Sequence, residues 1–179
     1  MKKYFKISVK EIFPIGLVLL LAFSRLIPHP PNFTPIIAVA IMSGYFFRNI
    51  NLSFVVLLIS MLLVDTFIGF YKHMFFVYLS LFLITFVFFK MSDKINFKNL
   101  FVFGLFGSFI FYLVSKFGVW ASGVLSPITN LHYEKNLNGL ISCYLLAIPF
   151  FKNTLFSTII FSYGAFLTNH LYEKIKLKN

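Results

Sequence analysis

The sequence predicts an all-α membrane protein: one integral domain over residues 1–179, with about six transmembrane helices and both termini cytoplasmic. Three observations lead there. The chain is 59% hydrophobic and only 12% charged, with a mean hydropathy of +0.88. A soluble domain carries roughly 25% charged residues, so a water-soluble core has no way to hide this much apolar surface. Apolar runs follow one another along the chain, separated by short polar breaks. Finally, the net charge of +11 sits in the termini and the short loops. Membrane topology uses basic residues in that way, so the expected partner is a lipid bilayer and not a nucleic acid.

The first apolar run covers residues 11–27 and is preceded by Lys2, Lys3, Lys6 and Lys10. Ala22-Phe-Ser24 loosely resembles a signal-peptide cleavage site, but the run continues through Leu26 and Ile27, so a retained first helix is expected. Next comes Arg25-Leu-Ile-Pro-His-Pro-Pro-Asn-Phe-Thr-Pro35, which holds four of the seven prolines. Proline fixes φ and removes a backbone donor, so this segment reads as a stiff, shaped loop at the membrane surface. A second run, 32–47, starts inside it and ends at Arg48 and Asn49; in it Ala40 and Gly44 form a small-xxx-small pair that permits close helix contact. The third and fourth runs are 52–70 and 74–89, followed by a basic loop with Lys90, Asp93, Lys94 and Lys98. The fifth run is 100–121, the polar connection 122–138 comes next, and the sixth span is 154–172 before a basic tail.

Between them, the apolar piece 139–151 is broken at Pro149. As a helix it reaches about 20 Å, short of the roughly 30 Å hydrocarbon core, so it reads as a surface or partly inserted half-helix. Either 32–47 spans and 139–151 does not, or the two exchange roles. The first arrangement places Arg48 and the dense Lys90–Lys98 loop with the basic termini, which the positive-inside bias favours. Three loops then face outside: 25–35, 65–73 and 116–153. They hold nearly every residue able to carry chemistry.

Asp65 lies near the outer end of the third run. A carboxylate in hydrocarbon needs a polar cavity or a partner, and Arg25, Lys72 or His29 would serve; otherwise it reaches the headgroups. Lys116 and Trp120 are four apart and share a helix face. They either snorkel and join the aromatic belt, or converge on a pocket for a small, flat, polar ligand. The histidines, His29, His73, His132 and His170, have no metal spacing, and the lone Cys143 excludes an internal disulfide and reads as a packing residue. No phosphate loop and no nucleophile with a nearby base is present in the sequence, so neither an enzyme nor a cofactor is expected, and the chain has no means of using ATP itself.

Arg25 to Pro35, Asp65-Thr-Phe-Ile-Gly-Phe70, Phe117-Gly-Val-Trp120, Cys143-Tyr144 and Ala147-Ile-Pro-Phe-Phe-Lys-Asn-Thr-Leu155 follow in this order. Over residues 19–164 the chain resembles an uncharacterised family of small bacterial membrane proteins with the signature Arg-Leu-x-Pro-His-Pro-Pro-Asn-Phe-Thr-Pro. That family is in turn similar to the S components of energy-coupling-factor (ECF) transporters. The resemblance implies an S-component-like bundle, multi-pass in the bacterial inner (cytoplasmic) membrane, that captures a vitamin-like molecule at its outer face. A T component and ATPases would drive uptake. The chain departs from the pattern at Lys116, where a small polar residue is expected, and at Ser157-Thr158, where an acidic one is expected. It also lacks the Ala-xxx-Ala pair that S components often carry in the first span.

The resulting expectation is a small-molecule binding and uptake protein with Arg25, His29, Asn32, Asp65, Lys116 and Trp120 at its ligand. Arg25 would pair with an anionic group or with Asp65, Asn32 and His29 would hydrogen-bond, and Trp120 would stack. The alternatives are a membrane scaffold or assembly factor, in which the proline loop is architecture, and an intramembrane enzyme, which needs a second polar group such as His29 placed against Asp65.

Overall fold

The computed structural model describes residues 9–176; Lys2, Lys3, Lys6 and Lys178 of the basic termini lie outside the described residues. The described chain is all-helical. It forms α1 (Val9–Phe23), α2 (Ile36–Phe46), α3 (Ile50–Ile68), α4 (Met74–Lys90), α5 (Leu100–Ala121) and α6 (Leu137–Lys176), with single 3₁₀ turns at Ser24–Leu26 and Ser92–Lys94. Three of these, α3, α5 and α6, are long and apolar enough to cross a membrane, while α2 and α4 are shorter apolar helices.

Apolar side chains fill both the core and the exterior, unlike in a water-soluble bundle. Large apolar side chains point outward, among them Phe67, Phe75, Val102 and Leu145. Ser43, Ser53, Ser60, Ser80, Ser108 and Ser162 are fully buried at helix contacts. Small polar residues inside and large apolar ones outside suit a solvent as apolar as leucine.

The central helix is α2. Residues Ile37 to Gly44 are all buried, and α1, α3, α4, α5 and α6 all pack on it. A helix apolar on every side has to be enclosed on every side. Its closest neighbour is α4. A Cβ on Gly44 would stand 2.5 Å from the Thr85 carbonyl oxygen, and the Thr85 hydroxyl donates to the Ala40 carbonyl at 3.0 Å. The small pair Ala40 and Gly44 therefore seats α4. The helix itself has 11 residues, about 16 Å, because Pro35 starts it late. The expected span over 32–47 is thus a short helix preceded by non-helical chain.

Two further expectations are corrected. The first run ends as a helix at Phe23 and turns through Ser24–Leu26, four residues before Ile27. The piece 139–151 is no separate half-helix, and the loop expected over 116–153 shrinks to 122–136, because α6 is one helix of 40 residues. Pro149 lies inside α6, where its missing N–H leaves the Leu145 carbonyl without its helical donor, and α5 packs along the helix. Tyr112 donates to the Tyr144 carbonyl at 2.6 Å, and the Tyr144 hydroxyl donates to the Leu113 carbonyl at 2.6 Å. At about 60 Å, α6 is roughly twice as long as a hydrocarbon core is thick. Near its far end Tyr172 stacks on Phe13 of α1 at 3.8 Å, so the two ends of the described chain meet at one end of the bundle.

Candidate functional site

The proline segment lies across the end of the bundle, exposed from Leu26 to Asn32 and buried at Pro35. Pro30, whose carbonyl accepts from the Phe33 N–H at 3.0 Å, begins a turn, and Asn32 adopts φ 60°. Asn153 of α6 donates to the Pro31 carbonyl at 2.9 Å, the Phe33 ring lies 6.1 Å from Phe161, and Pro35 is buried. With four of its residues lacking an N–H, this stretch has few donors of its own and takes its support from α6.

Beside it sits a buried ion pair. Arg25 Nη1 lies 2.9 Å from Asp65 Oδ1, with the side chains 8% and 0% exposed. The contact is an ion pair without aligned hydrogen-bond geometry, since Oδ1 accepts no hydrogen bond while Nη1 donates to Met61 Sδ at 3.7 Å. Tyr78 of α4 donates to Asp65 Oδ2 at 2.6 Å. Asp65 thus ties the end of α1 to α3 and α4. Gly69, at φ 100°, ends α3 one turn later and lets the chain reverse into Tyr71 and His73, a geometry that favours glycine. Burial, followed by the Asp65 charge, pushes Tyr71 up to about 12. Burial and then the Lys116 charge hold the His73 imidazole below its ordinary range.

A cavity of about 270 Å³ opens under Pro31 and Asn32, between α5 and α6, with His73, Lys116, Leu146 and Phe150 in its wall. A second one of about 190 Å³ adjoins it at Asn32 and His73 and is bordered by Arg25 and Tyr71. A narrow third space joins Asn32 and Lys116 to Phe111 and Thr154. All three meet at Asn32, so the proline loop is their shared roof.

Of the residues expected at a ligand, the structure brings Arg25, Asn32, Asp65 and Lys116 to this region. His29 is exposed, with Nδ1 donating to the Pro30 carbonyl at 3.1 Å, and it is not set against Asp65. Trp120 does not border the cavity. Its indole N–H donates to the Glu134 carbonyl at 2.8 Å, and Lys135 Nζ covers its ring at 5.2 Å while donating to the carbonyls of Trp120 and Ala121. Trp120 clamps the α5–α6 connection. His73, read from the sequence only as lacking metal spacing, and Cys143, read as a packing residue, both line the main cavity, and Tyr78, Tyr71 and Tyr133 are not among the residues expected here. Only their polar tips among apolar neighbours could have marked them.

The fold and this region together define an all-helical bundle with an apolar exterior and a small pocket roofed by a proline loop. The chain belongs to the Family of unknown function (DUF6580), which it matches over residues 5–178. No curated protein and no solved structure matches it.

Proposed function

We propose that this protein is a multi-pass protein of the bacterial inner membrane that captures a small molecule from outside, in the manner of an ECF S component. The observation that carries the reading is the cavity of about 270 Å³ beneath Pro31 and Asn32, which two further spaces adjoin at Asn32. Ligand sites are concave and mostly apolar with a few convergent polar groups, and Lys116, His73 and Asn32 are such groups in a wall of Leu146, Ala147 and Phe150. Arg48, Lys90 and Lys94 lie at the other end of the chain's helices, the end that the positive-inside bias assigns to the cytoplasm together with both termini. The pocket then faces outside. Uptake from it needs an energy source that the sequence does not supply, which a T component and its ATPases would provide.

The test is co-purification. Wild type isolated in mild detergent is extracted and its small molecules are identified by mass spectrometry, beside an Ala147→Phe variant that fills the cavity. A compound held by wild type and lost from a variant of unchanged melting temperature is the expected result. Equal retention by both would remove the cavity from the function.

The scaffold reading also has an observation in its favour. Asp65 is spent internally on Arg25 and Tyr78, as an architectural tie would be. Under that reading, substitutions in the proline loop lower stability and expression while no compound is ever retained.

A further inference from the structure

The charges around the cavity do not balance. Lys116 borders both the main cavity and the narrow one, half-buried, and its amine has neither a hydrogen bond nor an ion pair among the described residues. No carboxylate borders either cavity. Asp65 is committed to Arg25 and Tyr78. Glu134 is exposed and accepts from Asn136 Nδ2 at 2.8 Å. Asp93 lies in the vestibule at the opposite end, with Arg48 and Lys90. Glu11 in α1 and Glu173 in α6 belong to that same opposite end, where Phe13 meets Tyr172. The nearby cation Lys135 is occupied by Trp120 and Ala121. Donors are likewise in surplus: Arg25 Nε is buried without a partner beside the adjoining cavity, and the His73 ring is within electrostatic reach of Lys116.

A lone cation in an apolar wall is costly, and the cost falls when an anion sits against it. We infer that the cavity takes a small monoanion, a carboxylate on a compact apolar body, with the carboxylate against Lys116 and the body against Leu146, Ala147 and Phe150. This rests on the reading of the cavity as a ligand site and narrows it to a substrate class. One unpaired cation matches one negative charge; a dianion would leave a charge uncompensated. The volume of about 270 Å³ lies at the small end of ligand pockets, so the body is compact. Lys116 becomes the specificity determinant of this chain.

The experiment uses wild type, Lys116→Gln and Lys116→Arg, purified from membranes in mild detergent, with melting temperatures measured first. The retained compounds are extracted and treated with carbodiimide and methylamine, which amidate carboxylates, then weighed and fragmented by mass spectrometry to distinguish a carboxamide from a phosphoramidate. The expected result is a compound that gains a single amidation, is held at least about tenfold less by Lys116→Gln, and is restored by Lys116→Arg. A compound that resists amidation, or that Lys116→Gln retains like wild type, overturns the monoanion while leaving a binding protein. Retention of nothing by wild type overturns the ligand-site reading and the monoanion with it.

Discussion

Asp65 is the residue on which most of the polar structure turns. Its carboxylate is fully buried, faces Arg25 at 2.9 Å and accepts from Tyr78 at 2.6 Å. Removing one member of such a pair leaves an uncompensated buried charge, which costs about 3–5 kcal/mol, whereas removing both leaves no charge behind. Arg25→Met and Asp65→Ala should therefore each lower unfolding free energy in detergent by about 3 kcal/mol. The combined Arg25→Met/Asp65→Ala variant should lose clearly less than the two losses together, and strict additivity would show that the pair is not coupled. That Asp65 needs a partner is legible in the sequence, since a carboxylate in an apolar run has few other options. Which partner it takes is not, because Arg25, Lys72 and His29 all fall in loops expected on the same side and only the turn after α1 decides among them. Trp120 makes the same point in reverse. Its spacing from Lys116 is right for a shared face, yet Glu134 and Lys135, from a connection whose path no periodicity predicts, occupy its N–H and its ring.

At the scale of elements, α2 and α6 set the arrangement. Gly44 of α2 lies against α4 with no room for a side chain, its missing Cβ falling 2.5 Å from the Thr85 oxygen and 2.9 Å from the Phe89 nitrogen. Gly16 of α1 has nothing within 4 Å. Gly44→Ala should destabilise by about 1–3 kcal/mol through overpacking, while Gly16→Ala should stabilise by about 0.5–1 kcal/mol through backbone entropy. Thermal unfolding of the two variants checks this, and a neutral Gly44→Ala would mean that α2 and α4 are not held in close contact. The small pair in α2 is visible in the sequence, but its use is a property of α4. The continuity of α6 is the larger surprise. Pro149 and the length limit of a membrane span argue for a break, yet the helix runs on, bridged to α5 by the hydroxyls of Tyr112 and Tyr144.

For the whole molecule, the question is orientation. The pocket lies at the end with the proline loop and 122–136, and Arg48, Lys90 and Lys94 lie at the other. In a Cys143→Ser background, a cysteine at exposed Thr129 should react with a membrane-impermeant maleimide in intact cells freed of their outer barrier. One at exposed Lys94 should react only after lysis. The opposite pattern would turn the pocket toward the cytoplasm and end the uptake reading.

The sequence by itself determined the class: composition, helical runs, short basic loops, the proline segment as the special stretch, and Asp65 as a carboxylate in need of a partner. These are local properties, since each follows from what a residue tolerates beside its own neighbours. Tertiary structure alone decided that α2 is short and central, that α6 is continuous, that Arg25 and Tyr78 meet Asp65, and that Lys116 faces a cavity without a counter-ion. Each of these depends on contacts between segments far apart in the chain. Such contacts form where packing volume and unpaired polar groups are jointly satisfied, and apolar periodicity carries no record of which faces will meet.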